Sequence, residues 1–143
     1  MKPFEEHFPI QSRRRHNVIV VLFEEFLEAN PDRPLSLAEI CPAIGVVERT
    51  LRVACAKYLG MGPIRYHSLR RMQLARRALL CADPSAATVT RVAADHGFWE
   101  LGRFSVTYRL LFGETPSETL RRTDRPMLLN RMSRHSEAAH EAL

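Results

Sequence analysis

The 143-residue sequence predicts an all-α fold with seven helices. Apolar residues recur at the three- and four-residue spacing of amphipathic helices along most of the chain. No window alternates apolar and polar residues between turn dipeptides, which is the pattern that a half-buried strand would show. A Gly-x-x-Pro sequence also occurs twice, at residues 60–63 and 113–116, and follows a helical stretch each time. The length suits about one domain with its own hydrophobic core.

The first helix is expected from about residue 15 to residue 29, after an extended lead-in of residues 1–14. Pro31 and Pro34 end it, because a proline lacks a backbone N–H and its ring clashes with the preceding helical turn. The helix is amphipathic, since its apolar residues follow the i, i+3, i+4, i+7, i+8 pattern: Ile19, Leu22, Phe23, Phe26 and Leu27.

A short helix and a longer one are expected next. Ser36 and Glu39 have the spacing of a capping box, so the short helix begins there. Pro42 predicts a kink or a shortened helix, because its ring clashes with the carbonyl four residues earlier. The longer helix covers about residues 47–59, and Val47 gives it no side-chain cap.

Four more helices complete the predicted fold. A long linker helix covers residues 64–81 and follows Pro63. A second pair of a short and a longer helix follows within residues 88–112, and Thr88 can cap the short one. Pro116 opens a last short helix, after which the residues form a polar tail with a weak pattern.

The two pairs of helices repeat one pattern. Residues 37–63 match residues 89–116 at an offset of 52 before the turn and 53 after it. Each copy has the plan of a helix-turn-helix unit, whose second helix can enter the DNA major groove. A generic pair of helical hairpins is the simpler interpretation, but the match between two copies disfavours it. The 18-residue linker helix would be about 27 Å long. Together with the widths of the units that it joins, this length suits the roughly 34 Å between successive major-groove segments.

Positive charge is concentrated in the middle of the chain. The net charge is +5, the sequence pI is near 9.6, and 19 of the 21 cationic residues are arginine. Residues 31–125 carry 15 cationic and nine acidic side chains, a net charge of +6 (15 − 9). Arginine presents a planar donor fork that suits phosphate and guanine, so this balance favours a nucleic-acid partner.

Several stretches resemble a known family. Residues 92–109 (VAADHGFWELGRFSVTYR) and 112–118 (FGETPSE) are similar to the signature of AraC/XylS-type transcription regulators. Residues 35–77, which include Gly60-Met61-Gly62-Pro63 and Tyr66, are similar to that family's first helix-turn-helix unit and linker helix. The resemblance implies a DNA-binding domain of seven helices that binds an asymmetric site and activates or represses transcription.

This resemblance also implies a domain organisation. The DNA-binding domain covers residues 15–122, with a first unit at 36–60, the linker helix at 64–81 and a second unit at 88–112, and residues 123–143 form a polar tail. The recognition helices, at about 47–59 and 100–111, would enter adjacent major-groove segments. By position, the expected DNA-binding residues are Arg49, Arg52, Val53, Leu101, Gly102, Arg103, Ser105 and Val106.

The chemistry of these candidates differs. Arg49 and Arg52 lie three residues apart, so both can present a fork to a guanine edge from one helix face. Arg103 is expected to read a base or a phosphate, with Ser105 as a phosphate donor. The two valines can offer no more than contact with a thymine methyl, and the glycine offers no side chain.

Other chemistry is not expected. Phe104, Tyr108 and Phe112 recur every four residues, which favours a core stripe over a base-stacking platform, while Trp99 fits either the core or a DNA-facing rim. The six histidines show no paired metal spacing. The three cysteines are expected to be buried free thiols: Cys41, Cys55 and Cys81. The sequence shows no nucleophilic residue paired with a general base. We therefore expect no catalytic residue, metal, cofactor or enzyme activity.

The expected partner is double-stranded DNA, with RNA polymerase as a further partner. No stretch approaches 18 apolar residues, and no signal region is present, so a cytoplasmic protein without a membrane partner is expected. Most members of the family that the resemblance implies carry a separate effector-binding or dimerisation domain. Residues 1–14 are too short to form one, so the chain is expected to be either a fragment or a stand-alone domain. The alternative is a helical protein-interaction module, for polymerase or a regulatory partner, with only non-specific affinity for DNA.

Overall fold

The structure, a computed structural model, describes the backbone of residues 10–141 and the side chains of residues 15–135 and 137. Within that part of the chain there are eight α-helices and no strand, which confirms the all-α fold. In chain order the helices are α1 (Ile10–Ala29), α2 (Leu37–Ile44), α3 (Glu48–Leu59), α4 (Pro63–Cys81), α5 (Val89–Asp95), α6 (Leu101–Phe112), α7 (Pro116–Arg121) and α8 (Arg125–Glu141).

The expected number of seven helices is wrong, because α8 occupies most of the stretch expected to be a polar tail. Pro126 lies in its first turn, where a missing N–H loses no helical hydrogen bond and the fixed φ suits a helix. The amides of Met127 and Leu128 donate to the Asp124 carbonyl at 3.1 and 3.4 Å. Leucine, methionine, arginine, alanine and glutamate then dominate the stretch, and all of them favour helices.

The first helix, α1, begins earlier than expected. It starts at Ile10 rather than near residue 15, so residues 10–14 are helical where an extended lead-in was expected. Neither proline nor glycine occurs between Pro9 and Arg15, so nothing in that stretch interrupts the helix. The rest of the expected lead-in, residues 1–9, lies outside the described residues.

The helices form two compact units that divide between Arg70 and Arg71, within α4. In the first unit α1 packs against α2 and α3. Its core contains Phe23, Leu27, Ile40, Leu51, Ala54 and Cys55. In the second unit the remainder of α4 belongs with α5, α6 and α7. Its core contains Met72, Ala75, Leu79, Phe104, Tyr108 and Leu120.

Both short helices begin at the residues expected to cap them. The Ser36 hydroxyl accepts from the Glu39 amide at 3.3 Å, and the Ser36 amide donates to the Glu39 carboxylate at 2.9 Å. This is the predicted capping box, and it begins α2. The Thr88 hydroxyl accepts from the Arg91 amide at 3.2 Å and begins α5. Side-chain oxygens therefore satisfy the first amides of the short helix in each unit.

The turn after each short helix contains a left-handed glycine. Gly45 has φ of 73° and Gly97 has φ of 79°, a conformation that side chains with a Cβ rarely adopt. Before the first turn, α2 continues through Pro42 to Ile44, so of the two expected outcomes, a kink or a shortened helix, shortening is excluded. Pro42 lies in the last helical turn, where its missing N–H removes one helical hydrogen bond.

The aromatic stripe of α6 lies in the core, as predicted. Phe104 and Tyr108 are buried and Phe112 is half-buried. Neighbouring ring centroids along the stripe lie 5.7 and 4.7 Å apart, within the range of favourable aromatic pairs. Trp99, for which the sequence allowed either the core or a DNA-facing rim, is 78% exposed, so it does not lie in the core.

Two of the three cysteines are buried, and the expectation for the third is wrong. Burial raises the pKa of the Cys41 thiol, and it raises that of Cys55 to about 12, so both stay protonated near neutral pH. Cys81, the last residue of α4, is exposed. Among the described helices, none is long and apolar enough to cross a membrane.

Candidate DNA-binding surface

The longer helix of the first unit, α3, buries one face and exposes the other. Leu51 and Cys55 are fully buried in the core of the first unit. Arg49 and Arg52 are exposed, and their spacing of three residues places them on one face. Val53 is half-buried at the edge of that face, so it offers less surface than the two arginines.

The longer helix of the second unit, α6, has the same arrangement. Phe104 and Tyr108 turn its apolar face into the core. Five candidate residues lie on this helix: Leu101, Gly102, Arg103, Ser105 and Val106. Ser105 is half-buried, and the other four are exposed. Each unit therefore presents at least one candidate arginine on a helix whose opposite face is fixed by packing.

Neither of these longer helices has a side-chain cap at its N-terminus. The N-cap of α3 is Val47, which makes no capping hydrogen bond, as predicted from the sequence. The N-cap of α6 is Glu100, whose side chain also makes none. The first amides of both helices therefore remain available to an acceptor such as water or a phosphate oxygen.

A carboxylate near the start of each helix contacts a candidate arginine. In the first unit, Nη2 of Arg52 lies 3.8 Å from Oε2 of Glu48. In the second unit, Nε of Arg103 lies 3.4 Å from Oε2 of Glu100. All four side chains are more than half exposed, so solvent screens these pairs and each contributes little to folding.

A buried arginine of α4 holds the turn of the second unit. Nη1 of Arg71 donates to the carbonyls of His96 and Gly97 at 3.2 and 3.3 Å, and its guanidinium lies 4.6 Å from the centroid of Phe98. Burial lowers the pKa of this arginine, which still remains charged. These contacts fix the turn that leads into α6.

The first unit has a corresponding set of contacts between α4 and the rest of the unit. The Tyr66 hydroxyl donates to the Glu24 carboxylate at 2.7 Å, and burial together with this bond raises the pKa of Tyr66 to about 12. Arg70 forms an ion pair with Glu28 at 3.5 Å. The two acids are four residues apart on α1, and their partners are four residues apart on α4, so two helix faces are joined side by side.

Glu114 lies at the centre of a polar network at the end of α6. Its carboxylate accepts from Arg76 at 3.1 Å, from Thr119 at 2.9 Å and from Arg122 at 2.8 Å. Burial raises the pKa of Glu114, but the bonds from Thr119 and Arg122 and the two nearby cations outweigh it, so the pKa lies below its usual value. The network fixes the junction between α6 and α7, which begins at a capping box formed by Thr115 and Glu118.

The supporting residues were not identified from the sequence. Arg71 stands 25 residues from His96, and Arg76 stands 38 residues from Glu114, so no local pattern links either pair. The signal available for Arg71 is its place beside Met72 on the core face of α4, since an ionisable residue there must find buried partners.

The comparisons with known proteins concern this part of the chain. A family model described as "Helix-turn-helix domain" matches residues 40–122. The chain is 43% identical over 103 residues to a probable thc operon regulatory protein of Rhodococcus erythropolis, a match to 72% of this chain and 31% of that protein. It is 35% identical over 96 residues to the XylDLEGF operon transcriptional activator 2 of Pseudomonas putida, a match to 67% of this chain and 61% of that protein. The chain thus spans less than two thirds of the length of either relative.

Two solved structures are similar over nearly their whole length. One is a probable AraC family transcriptional regulator from Rhodopseudomonas palustris, with 35% identity, a TM-score of 0.64, and 73% of this chain and 95% of that chain covered. The other is a transcriptional regulator with an AraC-type DNA-binding domain from Chromobacterium violaceum, with 28% identity and a TM-score of 0.69. The match covers 78% of this chain and 96% of that chain.

The repeated units and the matches define the class of protein. The fold is that of an AraC-type DNA-binding domain, all-helical in the part of the chain that the structure describes. The chain belongs to the AraC family of transcription regulators, which act by binding DNA and are not enzymes.

Proposed function

We propose that this chain binds one asymmetric stretch of double-stranded DNA, with α3 and α6 in successive major-groove segments. Bound there, it raises or lowers transcription of the adjacent genes, with RNA polymerase as a further partner. The relatives named as operon regulators and transcriptional activators support a role in transcription. The residues proposed to contact DNA are Arg49, Arg52, Val53, Leu101, Gly102, Arg103, Ser105 and Val106.

The observation that carries this proposal is the shared design of α3 and α6. Each is anchored by buried residues on one side and presents an exposed arginine on the other, Arg52 in the first unit and Arg103 in the second. A guanidinium forms two parallel bonds with O6 and N7 of guanine, a pattern that other base pairs do not offer in the major groove. Two such helices in one chain can read two different sequences without the symmetry of a dimer.

The test compares Arg52→Ala and Arg103→Ala with the wild-type chain on the preferred duplex recovered from a random DNA pool. Loss of a base-reading arginine should weaken binding by about 5- to 150-fold, about 1–3 kcal/mol, and should relax the preference at one base pair. Each variant should affect a different part of the site, because the arginines belong to different units. Arg77→Ala is the matched control, since Arg77 is an exposed arginine of α4 outside both recognition helices.

If both variants weaken binding to all DNA sequences equally, these arginines contact phosphates instead of bases. If the wild-type chain retards no duplex even at low salt, the proposal fails.

A second candidate is a protein-interaction module with only non-specific affinity for DNA. Leu110 is 81% exposed and Val106 is 63% exposed on α6, and exposed apolar residues can mark a protein partner. The two candidates differ in competition. The affinity of a sequence reader falls steeply as salt rises, but its preference for one duplex survives excess competitor DNA, whereas non-specific binding is lost to the competitor.

A further inference from the structure

Each recognition helix has a single acidic residue at its N-terminus, in the first turn of α3 and at the N-cap of α6. Residues 48–59 contain Glu48 alone, and residues 100–112, which include the N-cap of α6, contain Glu100 alone. Basic and apolar residues dominate the rest of both helices. An acid repels DNA phosphates, so a DNA-binding helix has an electrostatic reason to exclude acids. Glu48 is the first residue of α3 and Glu100 is the N-cap of α6, so the two acids stand one position apart in the repeat.

Both acids contact the arginine proposed to read a base. Glu48 lies 3.8 Å from Nη2 of Arg52, and Glu100 lies 3.4 Å from Nε of Arg103. The arginines are 62% and 83% exposed, so the acids do not bury them. A guanidinium has five N–H donors in a fixed fork. One of them can face the carboxylate while two others reach O6 and N7 of a guanine.

A helix-stabilising role accounts for only part of this arrangement. Acids near a helix N-terminus interact favourably with the helix dipole, and neither helix has a side-chain cap. That role requires an acid in the first turn but no particular partner for it. The repeated feature is that the acid contacts a candidate base-reading arginine in both units.

We propose that Glu48 and Glu100 determine the sequence discrimination of the chain, an inference that rests on the proposed function. When Arg52 or Arg103 reaches a guanine, the carboxylate holds the guanidinium from behind and orients its fork. When the chain lies on unrelated DNA, the same carboxylate competes with phosphates for the arginine and repels them. The acids therefore weaken binding to unrelated sequences more than binding to the preferred site.

The test measures two dissociation constants for Glu48→Gln and Glu100→Gln in the full 143-residue chain. The probes are the preferred duplex that the wild type recovers from a random pool and a duplex of the same composition in shuffled order. Asp95→Asn is the matched control, because Asp95 forms an exposed i,i+4 pair with Arg91 on α5, outside the recognition helices. Circular dichroism checks that each variant keeps the wild-type helix content.

Each glutamine variant should bind the shuffled duplex about three- to tenfold more tightly and the preferred duplex no more than about twofold more tightly. The ratio of the two constants then falls, whereas Asp95→Asn changes both equally. The salt dependence on the shuffled duplex should steepen, by up to about 0.9 in the logarithmic slope if the released arginine reaches one more phosphate. In an Arg52→Ala background, Glu48→Gln should lose most of its effect on the ratio, because the acid acts through that arginine.

An unchanged ratio in both glutamine variants would overturn this inference while leaving the proposed function intact. Weaker binding to the preferred duplex without tighter binding to the shuffled one would also overturn it, because that result indicates direct reading of a cytosine amino group by the acid. If the wild-type chain recovers no preferred duplex, the proposed function itself fails.

Discussion

At the residue scale, Arg71 shows how a buried cation can organise a turn. In the described part of the chain its guanidinium is held by two carbonyls and the face of Phe98 rather than by a carboxylate. The carbonyls of His96 and Gly97 point their negative ends at the cation, and the aromatic face adds a cation–π contact. One side chain of α4 thus satisfies the backbone of the turn before α6.

Replacing Arg71 by methionine should destabilise the second unit by about 2 kcal/mol, because two carbonyls of the turn lose their donor. Urea denaturation measures the loss, and amide exchange of α5 and α6 localises it. Arg77→Met is the control, since Arg77 lies on the same helix but is exposed. Equal stability of the two variants would show that the Arg71 contacts add nothing to the turn.

At the element scale, the two recognition helices share a weakness at their N-termini. α3 begins after Val47 and α6 begins after Glu100, and neither residue caps its helix with a side-chain hydrogen bond. The short helices α2 and α5, in contrast, begin at Ser36 and Thr88, which do. Side-chain caps thus satisfy the first amides of the short helices α2 and α5, whereas the first amides of α3 and α6 can bind other acceptors.

Substitution of Val47 by serine should raise the free energy of unfolding by about 1 kcal/mol, because serine can cap α3. Val47 is 68% exposed, so its removal sacrifices little buried surface. Val47→Ala is the control, since it removes the same side chain without adding an oxygen. Urea denaturation of both variants measures the difference. A serine variant no more stable than the alanine variant would contradict the expected cap.

At the scale of the whole molecule, local patterns predicted most of the fold. The capping box at Ser36, the glycine at each turn and the aromatic stripe of α6 are signals within a few residues of each other, and the structure confirms them. Helix α8 was missed because a proline and a polar sequence suggested a break, although a proline suits the first turn of a helix.

The contacts that support α6 from within the second unit could not be predicted from local sequence patterns. The clamp of Arg71 on the turn and the network around Glu114 join residues that are far apart in sequence and are brought together only by packing. The candidate arginines could be proposed from the sequence because the resemblance to AraC/XylS-type regulators implies base-facing positions on the longer helix of each unit. The acids that contact them, Glu48 and Glu100, stand at the N-termini of α3 and α6, and their contacts with the arginines are seen only in the structure.

The central claim is that two helix-turn-helix units of one chain read two adjacent stretches of DNA. Selection of bound sequences from a random duplex pool by the 143-residue chain tests it most directly. The account predicts two different short motifs whose centres lie about one helical turn, roughly 10 base pairs, apart. A single motif of one unit's width, or no enrichment at low salt, would contradict it.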